Sequence, residues 1–150
     1  MNKYLLFILV VLLSSCSIGD NINVGNPNEI TIDGVEGNNL KFTVSVPITN
    51  TNTFKVKIKE INLDARVNGK YLGVVTGDSK IVIPPNTKAF YDVDLNLEIK
   101  NIVLGATTIY KMSKNEDYPD LDLEGEIKAS ALLMVKKIKV KEENIFNYVN

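Results

Sequence analysis

Apolar and polar residues alternate along much of the chain. In residues 40–49 (LKFTVSVPIT) every second side chain is apolar, and residues 87–99 (TKAFYDVDLNLEI) repeat this pattern. A period of two places the apolar side chains on one face of a β-strand and the polar ones on the other. Pro47 falls on the polar face of the first strand. Because proline has no amide hydrogen, we expect an edge or a bulge there.

The segment 54–67 alternates in two phases. Its apolar positions are even-numbered up to Ile58 and odd-numbered from Ile61 onward. A slip of one residue turns one of these sets to the wrong face, so the pattern predicts a β-bulge or a bend near Lys59 and Glu60. The dipeptide Asn68-Gly69 follows, and both residue types tolerate the positive φ of a tight hairpin turn.

The remaining segments complete an all-β pattern with one exception. Residues 71–75, 80–83, 121–133 and 135–141 are predicted strands. Residues 102–111 instead repeat their apolar side chains every three or four positions, and Asn101 is a good helix cap, so one short helix is predicted there. The predicted fold class is an all-β antiparallel β-sandwich, immunoglobulin/fibronectin-like, of seven to eight strands with one short helix.

The start of the chain is typical of a secreted protein. Residues 4–13 are continuously apolar and follow Lys3, which is the layout of a cleavable signal peptide. Ten residues rise only about 15 Å as a helix, roughly half of a bilayer core, so we do not expect a retained transmembrane span. Cys16, the one cysteine of the chain, ends the sequence LSSC, which resembles the lipobox of bacterial lipoproteins. That resemblance implies cleavage before Cys16 and its lipidation; the alternative is cleavage elsewhere, with Cys16 an ordinary residue of the signal.

These features predict three segments and a location. Residues 1–15 are a lipoprotein signal peptide, residues 16–28 a tether rich in Asn and Gly, and residues 29–150 the β-sandwich domain. The predicted location is the bacterial cell envelope, with the membrane as a partner through lipid on Cys16. Ser17 after the cysteine favours the outer membrane in a Gram-negative cell. With 17 basic and 18 acidic residues, the chain has no general attraction for nucleic acid, but an envelope protein remains a predicted partner.

The residue types needed for most catalytic chemistry are missing. The chain has no histidine, and its one cysteine is assigned to lipid, which removes Ser-His and Cys-His arrangements and thiolate metal sites. Residues 120–125 (DLDLEG) imitate the start of a calcium loop, but the twelfth position, which needs a bidentate acid, is Ala131. We therefore interpret these acids as the solvent-facing side of a strand, and predict no catalytic residue, metal ligand or cofactor.

Two runs of lysine and one aromatic residue remain to be interpreted. The lysines are Lys55, Lys57 and Lys59 in one predicted strand, and Lys136, Lys137, Lys139 and Lys141 in the last one. They either contact lipid headgroups or an acidic partner, or protect an edge strand from aggregation, which we favour. Phe90, on the polar face of its strand, either marks a partner site or is covered by the helix, and we favour the cover.

The order of these features is similar to that of a known family. Residues 40–99 carry Asn50-Thr51-Asn52 where the group-2 late embryogenesis abundant family (the water-stress and hypersensitive-response domain) usually has Asn-Pro-Asn, followed by its hairpin as Asn68-Gly69-Lys70 and Leu72-Gly73. The resemblance extends over residues 29 to about 142. It implies a small β-sandwich with one helix, an association with desiccation and stress tolerance, and no known reaction.

Two hypotheses for the function follow. The first is a lipid-anchored, non-catalytic envelope β-sandwich that binds or protects envelope components under stress. The second is a structural subunit of a bacterial envelope assembly, in which an exposed edge strand accepts a strand from a partner. An enzyme is the least supported class.

Overall fold

Nine strands and one helix make up the part of the chain that the structure describes. The structure is a computed structural model, and it describes residues 21–77, 80–114 and 119–145. The strands are β1 (Ile22–Val24), β2 (Glu29–Glu36), β3 (Asn39–Asn50), β4 (Val56–Val67), β5 (Lys70–Gly77), β6 (Ile81–Ile83), β7 (Thr87–Ile99), β8 (Leu121–Ala131) and β9 (Met134–Glu142). The helix α1 (Ile102–Ser113) lies between β7 and β8. The predicted all-β antiparallel class is confirmed, and β1 and β2, which lie before the first predicted strand, bring the count to nine.

All the strands pair antiparallel in one sheet of order β1-β3-β7-β5-β4-β8-β9. Because β7 occupies one edge of β3 along its whole length, β1 and β2 share the other edge; β5 and β6 share an edge of β4 in the same way. We call β1, β2, β3 and β7 the first half, and β4, β5, β6, β8 and β9 the second half. The halves join where β5 pairs with β7 at four positions.

The two halves face each other across one hydrophobic core. Leu40 and Leu97 of the first half belong to the same buried cluster as Leu63 and Val75 of the second half. Burial of such side chains contributes roughly 1.5–3 kcal/mol each to folding. The sheet therefore bends at the β5–β7 junction and packs on itself as a sandwich.

The predicted bulge lies in β4, at the place where the hydrophobic pattern changes phase. The pairing of β4 with β8 shifts register between Ile58 and Glu60. Val56 is buried before the shift, and Ile61 and Leu63 are buried after it. One extra residue thus turns both apolar sets toward the core, and the prediction is confirmed.

The hairpin turn lies as predicted, whereas Pro47 lies in an inner strand and without a bulge. Asn68 (φ 48°) and Gly69 (φ 75°) form the hairpin turn between β4 and β5. Pro47 faces the gap between β1, which ends at Val24, and β2, which begins at Glu29. In this gap the Gly25 amide donates to the Pro47 carbonyl oxygen at 2.8 Å. No strand needs an amide hydrogen from Pro47 there, so proline is tolerated inside β3.

The helix begins where its cap predicts it. The Oδ1 atom of Asn101 accepts a hydrogen bond from the Leu104 amide at 3.1 Å, and α1 extends to Ser113. Gly105, a poor helix former, has a packing role. A Cβ at this position would lie 2.6 Å from Cγ2 of Ile99, so glycine lets the helix approach the end of β7.

Two segments differ from their predicted bounds, one at the start of the sandwich and one at the end of β8. Ile22–Val24, assigned to the tether, form β1, because Ile22 packs against the small core cluster that contains Ala131. The strand predicted over residues 121–133 ends at Ala131, because Leu132 takes a φ of 54° and forms a two-residue turn with Leu133. Residues 22–24 therefore belong to the sheet, and the last hairpin has an apolar tip.

Candidate functional site

An apolar cleft of about 550 Å³ lies between the two halves of the sandwich. Its walls come from β3 and β7 on one side and from β4, β5 and β8 on the other, and α1 contributes Thr108 and Ile109. Ile30 of β2 and Val140 of β9 also line it. Because β2 and β9 are the outer strands and are not paired with each other, the cleft extends between them.

The burial of the inward-facing side chains shows why space remains there. Leu63 and Val75, near the junction of the halves, are 5% and 2% exposed. Farther from the junction, Val44 in β3 and Leu123 and Ile127 in β8 are only half-buried although they point inward. The opposing faces thus contact each other near the β5–β7 junction and leave apolar surface uncovered toward the outer strands.

Polar groups are confined to the rim of the cleft and to one satisfied hydroxyl. Lys139, Lys141 and Glu142 of β9 contribute to the lining at the rim. The buried Thr108 hydroxyl donates to the Leu104 carbonyl oxygen at 2.7 Å. Within the described ranges, no buried side-chain nitrogen or oxygen lacks a hydrogen-bond partner. The described walls of the cleft are therefore mainly apolar, and their polar side chains lie at the rim or are already hydrogen-bonded.

The sequence pattern identified the cleft residues as inward-facing but did not reveal the cleft. Alternation shows which face of a strand is apolar, but a face that is fully packed and a face that is partly uncovered have the same sequence pattern. No signal in the sequence sets the separation of the two faces. Cys16, the one site residue named from sequence, lies outside the described residues, and its lipidation stays a prediction.

The acidic segment of β8 lies on the outer face, as interpreted from sequence. Glu124 is exposed, whereas Leu121 and Leu123 line the cleft. Among the described residues, no group of three or more His, Cys, Asp or Glu side chains is placed to hold a metal ion. No helix in that part of the chain is long and apolar enough to cross a bilayer.

The predicted edge position of the lysines is found in β9 and not in β4, and protection from aggregation stays a prediction. β9 pairs only with β8, and its lysines lie on a free edge, where Lys137 forms an ion pair with Glu126 at 3.3 Å. β4, which contains Lys57 and Lys59, has partners on both sides. Phe90 is 64% exposed, and the predicted cover by the helix is wrong because α1 packs over Ile99 instead.

In the Asn50-Thr51-Asn52 segment the two asparagines form a buried polar junction, and Thr51 is exposed. The Nδ2 atom of Asn50 lies 3.0 Å from the carbonyl oxygen of Phe54 and 2.9 Å from that of Pro84. Its Oδ1 atom accepts from the backbone and side-chain amides of Asn52, at 3.0 and 2.9 Å. The Thr51 amide donates to the Asn21 carbonyl oxygen at 3.0 Å, a bond that the family's usual proline cannot make.

A family match covers this junction, most of the residues that line the cleft, and most of the sandwich. Residues 45–144, two thirds of the chain, match the sequence model of the late embryogenesis abundant protein family, type 2. The chain belongs to this family. The family's sandwich with one helix, expected from the resemblance, is the fold that the structure shows. Among curated proteins, none matches this late embryogenesis abundant chain.

Solved structures with a similar fold come from distant organisms. A protein from Archaeoglobus fulgidus has a TM-score of 0.57 at 11% identity, with 81% of this chain and 94% of that chain covered. Two solution structures are less similar, each with a TM-score of 0.40. One is a protein from Arabidopsis thaliana, 14% identical over 79% of this chain and 81% of that one. The other is a putative late embryogenesis abundant protein, 12% identical over 94% and 78%. At these identities the Archaeoglobus likeness shows the fold alone.

Proposed function

We propose that this type 2 late embryogenesis abundant domain is a non-catalytic binding module of the bacterial envelope, anchored by lipid on Cys16, which takes one apolar chain or a molecule of similar shape into its cleft. The observation that carries the proposal is the cleft of about 550 Å³ with apolar walls. Pockets for small molecules commonly measure about 300–1,000 Å³ and are lined mostly by apolar side chains.

The expected affinity follows from the area that such a ligand would bury. Each methylene transferred from water into an apolar site contributes about 0.8 kcal/mol. A chain that buries about ten methylenes gains about 8 kcal/mol, which corresponds to a Kd in the micromolar range before the cost of ordering the chain is subtracted. Binding of this strength needs no specific polar contact, which agrees with walls whose buried polar groups are already satisfied.

The envelope location is supported by the sequence of the first sixteen residues. An apolar run of signal length and a cysteine in the sequence LSSC are the features of a lipoprotein. A single acyl chain binds membranes only marginally, so durable attachment needs the several chains that such a cysteine carries. Replacing Cys16 with serine should release the protein from the membrane fraction or leave it unprocessed, and unchanged retention would contradict the anchor.

The cleft is tested with the fluorescent probe N-phenyl-1-naphthylamine and with fatty acids as competitors. The variant Leu123→Trp places a larger side chain in the cleft and should weaken probe binding at least about tenfold. Glu124→Trp, at the next residue on the outer face of β8, is the matched control and should bind like the parent protein. Equal binding by the two variants, or no binding by the parent, would refute a ligand in the cleft.

A further inference from the structure

The turn between β8 and β9 is apolar where a soluble hairpin is normally polar. Leu132 is 70% exposed and Leu133 is fully exposed. Met134 and Val135, which begin β9, are exposed as well. We call Leu132, Leu133, Met134 and Val135 the apolar tip. The β4–β5 hairpin turns through Asn68-Gly69, so the chain uses ordinary turn residues elsewhere.

The backbone of the tip makes its leucines more unusual. Leu132 has a φ of 54°, a conformation that costs a residue with a β-carbon roughly 1–2 kcal/mol and that glycine adopts readily. A strained and exposed leucine adds nothing to the stability of the isolated domain. Its side chain is more economically explained by contact with a surface outside the domain.

The tip lies at the end of the sandwich where the chain arrives from Cys16. Ile22 of β1 packs against the small core cluster that contains Ala131, the residue before the tip. Asn21 is hydrogen-bonded to Asn52 in the turn between β3 and β4. Five residues of chain reach at most about 18 Å, so a bilayer that holds Cys16 would lie within that distance of this end.

The charges at this end match an anionic surface. The three turns there and the strand ends next to them, residues 51–57, 84–90 and 129–136, contain four lysines and no acidic residue. Lys57 is opposite Ser130 in the β4–β8 pairing, and Lys136 is opposite Ala129 in the β8–β9 pairing. Lysines beside exposed apolar side chains form the usual combination at a membrane interface, where the charges face headgroups and the apolar groups enter the acyl boundary.

We propose that the apolar tip inserts into the outer layer of the bilayer that holds Cys16, with the surrounding lysines on its anionic headgroups. The domain then contacts the membrane at two places, through the lipid on Cys16 and through the hairpin between β8 and β9. The placement of the tip rests on the proposed anchor at Cys16, whereas its exposure and charge do not.

Single-tryptophan fluorescence tests the insertion directly, because the natural chain has no tryptophan. The full chain with Leu133→Trp is purified, its mass at Cys16 is checked for lipid, and it is reconstituted into phosphatidylcholine vesicles with and without phosphatidylglycerol. A fully exposed residue can be replaced without unfolding the domain. Tyr71→Trp, exposed at the opposite end of the sandwich, is the control.

Insertion predicts a blue-shifted emission and quenching by brominated lipid for Leu133→Trp, at least about threefold stronger than for Tyr71→Trp, with a further increase when phosphatidylglycerol is present. Equal quenching of the two variants would overturn the proposal. A blue shift that is already present without vesicles would also overturn it, since that result indicates contact with a second copy. If the mass shows no lipid on Cys16, the anchor is refuted but the insertion is still tested by adding the same vesicles to the unlipidated protein. Quenching of Leu133→Trp would then support insertion of the apolar tip, and no quenching would reject it.

Discussion

Replacing Asn50 with alanine tests whether the polar junction holds the sandwich together. Asn50 is 1% exposed, and its side chain contacts the β3–β4 turn and the β6–β7 turn. Alanine removes Oδ1, which leaves two amide donors of Asn52 without their acceptor, and removes the donor that faces the carbonyl oxygens of Phe54 and Pro84.

The expected loss follows from the groups left unpaired. A buried donor or acceptor without a partner costs about 1–3 kcal/mol. Two Asn52 donors lose their acceptor, and partial repacking relieves some of the cost, so we expect Asn50→Ala to lower the free energy of unfolding by about 3 kcal/mol. Such a loss is a large share of the stability of a domain of this size.

Urea unfolding followed by circular dichroism measures this loss. The midpoint should fall while the slope against urea stays constant, because the surface exposed on unfolding hardly changes. Asn62→Ala, at an exposed position of β4, is the control and should change stability by less than about 0.5 kcal/mol. A loss below about 1 kcal/mol for Asn50→Ala would refute the structural role of the junction.

Two further substitutions test close contacts in the same way. Gly125→Ala should lower the free energy of unfolding in urea by about 2 kcal/mol or more, because its Cβ would lie 2.3 Å from the backbone oxygen of Asn62. Gly34→Ala is the control and should be nearly neutral, because the space around Gly34 is open. Similar losses for the two variants would contradict the close contact at Gly125. Thr51→Pro should cost about 1 kcal/mol and speed amide exchange in β1, because it removes the amide that donates to the Asn21 carbonyl oxygen. Thr51→Ser keeps both the amide and the hydroxyl that donate to this oxygen, and it should not affect the exchange.

The sequence predicted the fold wherever a local signal had one physical meaning. The phase change at Lys59 and Glu60 required a bulge or a bend, and Asn68-Gly69 indicated a tight turn. The turn at Leu132-Leu133 was missed because leucines continue an apolar strand pattern, and nothing local announces a positive φ at leucine.

The candidate site was less accessible to such reasoning. Whether Val44 and Leu123 are covered depends on the separation of two faces that are far apart in sequence, and alternation carries no information on that distance. The exposure of Phe90 was missed for a related reason, because the docking position of α1 is fixed by Gly105 against Ile99 and not by the pattern of β7.

The short junction between β5 and β7 has a mechanical consequence. The halves share four residue pairs, from Gly73 opposite Ile99 to Thr76 opposite Asn96, whereas β3 and β7 share twelve. A rotation about the β5–β7 pairing would change the distance between the two halves, while the strand pairings within each half stay intact. The width of the cleft between the halves therefore depends on few backbone hydrogen bonds, and a small change in the twist of the β5–β7 pairing would be enough to alter it.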